Sequence, residues 1–255
     1  MPDIYSGMKH ARAFIESSGA NAPKAAAAAL CVLAAALSFF GDTQPDIPGQ
    51  AAASFVNDGG PMIALTFDDG PYPEVTAEIL DVLEEYGVTA TFFVLGSRVE
   101  GCEEALLRME ALGCEVGNHT WSHANLTALS AEQCVAEIES TNREIERVLG
   151  HGAAVVRPPF GYYNQTVRSA VPYPLVLWTI DTGDWRMSDP AELARYVLAQ
   201  VKEGCVILMH DQQATTAKAM RAVIPELMGA GFRFVTVSEL IDSEGEQAAA
   251  VKFPP

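Results

Sequence analysis

From Met62 to Val237 the chain alternates short apolar runs with stretches in which apolar residues recur every three or four positions. Seven runs predict strands: Met62–Phe67, Thr89–Leu95, Glu115–Gly117, Ala153–Arg157, Leu175–Ile180, Val206–Met209 and Phe234–Val237. Val75–Tyr86, Glu103–Leu112, Ala131–Leu149, Ala191–Lys202 and Thr216–Ala230 carry the helical period between them. Strands that alternate with helices predict an α/β domain with a parallel sheet inside and helices outside. Polar clusters follow successive strands, and that arrangement favours a closed barrel over an open sheet. No internal repeat is visible.

The N-terminal quarter has a different texture. After a tail at 1–24, Ala25–Phe40 is a run of 16 residues with Ser38 as its one polar side chain, bounded by Lys24 and Gly41-Asp42. It is shorter than the roughly 20 residues of a full membrane span and close to the upper length of a secretory apolar segment, about 15. It is expected to be a signal anchor or signal peptide, with an alanine-rich soluble helix as the alternative. Residues 41–60 hold Pro45, Pro48, Gly49, Gly59 and Gly60 and read as a linker. The domain then spans 61–244, and 245–255 is expected to be a disordered tail. Membrane anchoring through residues 25–40 is part of this expectation; no protein partner is predicted.

Charge narrows the ligand. The net charge is −17, and the first fifty residues hold three basic and four acidic side chains, so nearly all the excess lies beyond them. Such a domain repels phosphate backbones, which argues against nucleic acid. A neutral ligand, or a metal that offsets the charge locally, suits it better. Cys102, Cys114, Cys134 and Cys205 form no C-x-x-C pair and are expected as free thiols, with up to two bridges as the alternative.

The candidate chemistry sits where the predicted strands end. Asp68-Asp69-Gly70-Pro71 follows the first strand, and two adjacent carboxylates stay ionised together only beside a cation. His119 and His123 follow the third; on a helical turn this spacing would put both imidazoles on one face, within reach of one metal ion. Two histidines and a carboxylate leave coordination positions open for water and substrate. Arg157-Pro158-Pro159-Phe160-Gly161 follows the fourth strand, and an arginine there is costly to bury without a carboxylate. Asp181-Thr182-Gly183-Asp184-Trp185 and Leu208-Met209-His210-Asp211 end two more strands and supply an acid–base pair across a barrel mouth. Tyr162-Tyr163 either lines a sugar cleft or packs as a loop. The acidic stretch from Glu132 to Glu146 reads as a solvated helix face.

In their order and spacing, TFDDGP, NHTWSH, RPPFG, DTGDW and LMH resemble the five motifs of the NodB-homology polysaccharide deacetylases, carbohydrate esterase family 4, over residues 60–242. The resemblance implies a distorted (β/α)7 barrel and removal of N-acetyl groups from a glycan. It implies Asp68 as general base, with Asp69, His119 and His123 as ligands of one divalent metal, zinc first and cobalt, nickel or manganese as alternatives. It implies that Arg157 orients the base, that His210 is the general acid, and that Asp184 tunes it. Phe160 stands where the family uses a backbone N–H as oxyanion donor, with Gly161 freeing the turn. Trp185 and Leu208 match the apolar walls around the acetyl methyl. Phe160 departs from the tyrosine of many members, but the contact there is a backbone one. The expected substrate is peptidoglycan N-acetylglucosamine in the cell envelope, releasing acetate. Chitin oligomers, N-acetylmuramic acid and O-acetyl xylan are alternatives. Outside that class stand a non-catalytic metal-containing glycan-binding module and a non-haem iron oxygenase.

Overall fold

In the computed structural model, which describes residues 59–244, β1 (Met62–Asp68) lies at the centre of a parallel sheet, and six of its seven residues are buried. Its neighbours are β2 (Thr91–Val94) and β5 (Cys205–His210), and the sheet extends through β3 (Glu115–Asn118) on one side and β4 (Ile180–Asp181) on the other. β6 (Arg233–Phe234) pairs with the first residues of β1, below the point where β2 begins to pair with it. Single parallel bridges, Asn118 to Val156 and Val156 to Leu175, carry the wall from β3 to the segment that enters β4. The wall therefore closes into a distorted seven-position barrel. The predicted tail 1–24, the apolar segment 25–40, nearly all of the linker 41–60 and the tail 245–255 lie outside the described residues. No helix among the described residues is long and apolar enough to cross a membrane.

Period-two alternation sorts the strands. Ile63, Leu65 and Phe67 of β1 and Ile207 and Met209 of β5 pack outward into the main core, under the helices. Ala64 and Val206 face a second, inner cluster with Phe93, Val155 and Val176. Thr66, Asp68, Leu208 and His210 follow Ala64 and Val206 at two-residue steps and so rise along the inside of the barrel. The β1–β5 register aligns Asp68 with His210. Thus two residues far apart in the chain become cross-strand neighbours at one barrel mouth.

Six helices cover the outside: α1 (Pro73–Tyr86), α2 (Glu103–Ala111), α3 (Ala131–Leu149), α4 (Gln165–Ala170), α5 (Pro190–Gln200) and α6 (Ala214–Gly229); α7 (Val237–Glu244) closes the described chain. α1 starts with Pro73 at its first position and stops at Gly87, which adopts φ 63°. α3 starts at a reciprocal capping box between Ser130 and Gln133. Cys102, Cys114, Cys134 and Cys205 are all free thiols.

Three predicted strands need correction. Ala153–Arg157 is reduced to one bridging residue, Val156, and Leu175–Ile180 to a bridge at Leu175 and the start of two-residue β4. Pro158, Pro159, Pro172 and Pro174 flank these runs and carry no N–H to extend a ladder. Phe234–Val237 is a strand only at Phe234, because Val237 opens α7. There Thr236 N–H donates to Glu239 Oε2 at 2.8 Å and Glu239 N–H to Thr236 Oγ1 at 3.2 Å, a capping box that overrides the apolar run. The unpredicted α4 begins at Asn164, whose side chain accepts from the Val167 N–H.

Candidate active site

Asp68 ends β1 and is buried against a fully buried Arg157. Arg157 Nη1 donates to Asp68 Oδ1 at 2.7 Å and to Thr66 Oγ1 at 2.7 Å, while Nη2 donates to Leu177 O at 2.9 Å. Its guanidinium also lies 4.1 Å from the centre of the Phe93 ring. Burial pulls the Arg157 pKa down, and the charge and hydrogen bond of Asp68 oppose that pull. Oδ1 of Asp68 is thereby occupied, and Oδ2 faces His119 Nε2 at 3.6 Å. Breaking this pair leaves a buried, uncompensated carboxylate. Arg157→Met is therefore expected to cost about 3–5 kcal/mol, and a double change with Asp68→Leu to recover much of it. Urea unfolding of the two variants checks this; a single-variant loss under about 1 kcal/mol would contradict it.

Asp69 follows with a left-handed backbone, φ 77°. Its Oδ1 lies 3.2 Å from His123 Nε2 and 3.5 Å from His119 Nε2, and Gln212 Nε2 donates to its Oδ2 at 3.2 Å. Asp69 Oδ1 is buried and has no hydrogen-bond partner. Asp69, His119 and His123 each offer a ligand atom within 4.8 Å of the others. A divalent cation fits this donor set: two imidazoles and a carboxylate converge, and the orphaned oxygen points at them. Burial pushes the Asp69 carboxyl up, but the close His119 imidazole and the charges of His119, His123 and His210 hold it below its usual value. Burial, then the neighbouring His119, push His123 down, toward the neutral form that ligates.

The two imidazoles do not meet on a helical turn, as the i, i+4 spacing predicts. Residues 119–123 form an irregular loop in which Thr120 (φ 72°) and His123 (φ 60°) are left-handed. Tertiary hydrogen bonds hold that strained path. His119 Nδ1 bonds Arg157 O at 2.8 Å, Gly96 N–H donates to Thr120 O, and Glu137 accepts from the Trp121 and Ser122 N–H groups. Because Nδ1 is committed to a carbonyl, Nε2 is the free ligand atom.

Across the mouth, His210 Nδ1–H donates to Asp184 Oδ1 at 2.7 Å, and the His210 N–H donates to Asp184 Oδ2 at 2.8 Å. Thr216 Oγ1 donates to the same Oδ2 at 2.6 Å. Burial alone would lower the His210 pKa. The hydrogen bond and charge of Asp184, with the charges of Asp68 and Asp69, outweigh it and raise the imidazolium to about 9. A cavity of about 440 Å³ opens between these groups, lined by Asp68, Asp69, His119, His123, Phe160, Trp185, Leu208 and His210 among others. Arg157 and Asp184 are fully buried behind it, in contact with Asp68 and His210. Phe160 is left-handed (φ 61°), its ring packs on His123 at 4.6 Å, and its N–H has no backbone acceptor among the described residues. Gly161 does not line the cavity: its N–H donates to Pro158 O, closing the turn that presents Phe160.

The family model described as polysaccharide deacetylase matches residues 56–173. A peptidoglycan-N-acetylglucosamine deacetylase of Bacillus cereus is 35% identical over 188 residues, covering 71% of this chain and 88% of that protein. This chain belongs to the polysaccharide deacetylase family. The peptidoglycan-N-acetylmuramic acid deacetylase PdaC of Bacillus subtilis is 43% identical over 74% of this chain. Its solved structure superposes with a TM-score of 0.71 at 42% identity, covering 74% of this chain and 94% of that one. A family 4 acetyl xylan esterase from Clostridium thermocellum, solved with a cobalt ion, has a TM-score of 0.69 at 35% identity, covering 72% and 92%. The chain spans 40% of the length of the full Bacillus subtilis protein. Polysaccharide deacetylases are metal-dependent.

The five motifs assign no role to several residues around this site. Asp211 is fully buried under the first motif, where Thr76 Oγ1 donates to its Oδ2 at 2.6 Å. Burial pushes its carboxyl up to about 7; the Thr76 hydrogen bond opposes this and the charge of Asp69 adds to it. A Cβ at Gly70 would come 1.9 Å from Asp211 Oδ2, so the loop that carries Asp69 passes there only as glycine. Glu137 is more than part of a solvated helix face, since it ties the histidine loop to α3. Of the tyrosine pair, Tyr163 packs on the cluster around Leu126 and Val156, and Tyr162 is exposed beside Phe160.

Proposed function

We propose that this chain is a metal-dependent hydrolase that removes N-acetyl groups from N-acetylglucosamine units of peptidoglycan and releases acetate. One observation carries the reading: Asp68, backed by Arg157, and His210, backed by Asp184, stand in register on adjacent strands beside the Asp69–His119–His123 donor set. A binding module needs neither buried charge pair. Nothing in the site favours an oxygenase, whereas amide hydrolysis uses a base and an acid together.

A divalent metal held by Asp69, His119 and His123, zinc first, would supply Lewis-acid chemistry, acidifying water and polarising the amide carbonyl. Asp68 Oδ2, the oxygen Arg157 leaves free, takes the proton of the water that attacks the carbonyl carbon. The Phe160 N–H is open to the oxyanion that develops there. His210 Nε2–H faces the cavity because Asp184 holds Nδ1, and it gives its proton to the sugar nitrogen as the C–N bond breaks. The amine leaves neutral and acetate remains. Leu208 and Trp185 offer apolar walls to the acetyl methyl. A neutral sugar suits an acidic domain, and the Bacillus relatives, whose names place their substrates in the cell wall, support an envelope location with Ala25–Phe40 as the export segment.

The test is acetate release by the metal-loaded protein from peptidoglycan, chitin oligomers and acetyl xylan, with the released sugars identified by mass spectrometry. Free glucosamine in peptidoglycan is the expected product. Muramic acid instead would move the assignment to the alternative sugar, and no acetate from any glycan would sink the catalytic reading.

A further inference from the structure

Gln212 lies two residues beyond His210, in the cavity wall, and belongs to none of the five motifs. Its Nε2 donates to Asp69 Oδ2 at 3.2 Å, and Tyr72 Oη donates to its Oε1 at 3.2 Å. The Arg98 guanidinium sits 4.0 Å over the Tyr72 ring. The polarity of this chain is forced. An ionised carboxylate only accepts, so the amide must present nitrogen to Asp69 and oxygen to the tyrosine hydroxyl.

An aspartate carboxylate turns about its last torsion at little cost, and its two oxygens are equivalent until something distinguishes them. Here Oδ2 is taken by Gln212, and Oδ1 is left unpartnered, facing His119 and His123. The backbone does not do this alone, since Asp69 sits in the left-handed region, which a non-glycine residue holds only when its surroundings require it. A neutral amide suits the position. A lysine would cancel the charge that a cation needs, and a second carboxylate would repel the first.

We propose that Gln212, braced by Tyr72, is a positioning residue that turns Asp69 so that Oδ1 is preorganised as the carboxylate ligand of the metal. The inference rests on the metal-dependent reading above. Gln212→Met keeps the side-chain volume and removes both hydrogen bonds; Tyr72→Phe removes one oxygen and keeps the ring under Arg98.

The test titrates the full chain and each variant with cobalt(II), reads the d–d absorption, and obtains zinc affinity by competition. Gln212→Met is expected to weaken binding on the order of 10- to 100-fold and to alter the cobalt spectrum, because the carboxylate is no longer held in one orientation. Tyr72→Phe should weaken binding less, and it should add nothing once Gln212 is already replaced. An affinity within about twofold of the parent with an unchanged spectrum in Gln212→Met would overturn the proposal. Fully additive losses would overturn the Tyr72 brace. Should Gln212→Met fail to fold, an unchanged affinity and spectrum in Tyr72→Phe overturns it alone. A parent chain that binds no cobalt or zinc refutes the metal reading itself, a different failure from an unaffected variant.

Discussion

His210→Ala is expected to keep its metal and lose turnover by about 100-fold or more, the usual weight of a general acid. The imidazole is not one of the three residues of the donor set, so metal content is the control. Asp184 raises the imidazolium to about 9, so the acid is protonated at neutral pH and the rate falls as pH rises through that ionisation. A cation at Asp69 would repel the imidazolium, and the limb in the loaded enzyme is expected below that value. Asp184→Asn should move it lower still. Oδ2 of Asp184 already accepts from the His210 N–H and the Thr216 hydroxyl, so the new amide keeps its oxygen there. Its NH2 then faces His210 Nδ1 and forbids a proton on that nitrogen. The check is the pH–rate profile of both variants beside the parent. An alkaline limb unchanged by either change would mean that another group protonates the leaving amine.

The same pair links to stability. The folded-state pKa of His210 is raised above its ordinary 6.5, so its stabilisation is fully present below about 6.5 and is lost as pH rises through about 9.

His119→Ala should lose metal and activity together. His119 is nearly fully buried, and its Nδ1 is fixed on Arg157 O, so its Nε2 is the most rigidly aimed of the donor atoms. Removing it leaves Asp69 with one imidazole and leaves two adjacent carboxylates facing a smaller positive charge. Elemental analysis is expected to find metal well below one ion per chain, with acetate release at background. Full zinc occupancy in the variant would exclude the assignment of His119 as a ligand.

How much of this was legible depended on how local the cause was. β1 and β5 were readable as strands because their runs are mostly apolar, and all but one residue of each is buried. The runs beside Pro158, Pro159, Pro172 and Pro174 look equally apolar, yet the missing N–H groups reduce them to bridges. The Thr236–Glu239 capping box was also present in the sequence, as a Thr-x-x-Glu pattern, and was masked by the apolar residues around it. Five motifs at strand ends pointed to one barrel face, and the cavity does gather Asp68, Asp69, His119, His123, Phe160, Trp185, Leu208 and His210. Arg157 and Asp184 were legible as partners but not as residues sealed behind the cavity, and Gly161 shapes the turn without facing it.

By itself the sequence determined the strand–helix alternation, the residues able to ligate a cation or carry a proton, and the strand ends on which they sit. Those follow from side-chain chemistry and from near-neighbour sterics, which act over a few residues. Only the tertiary structure decided that Asp68 lies level with His210 and that left-handed residues, not a helical turn, join the two histidines. It also decided that Gln212, Glu137, Asp211 and Thr216 support the site. Each of these rests on a hydrogen bond or a register between segments distant in the chain, and such pairings are selected by packing and burial, which leave no periodic trace along the sequence.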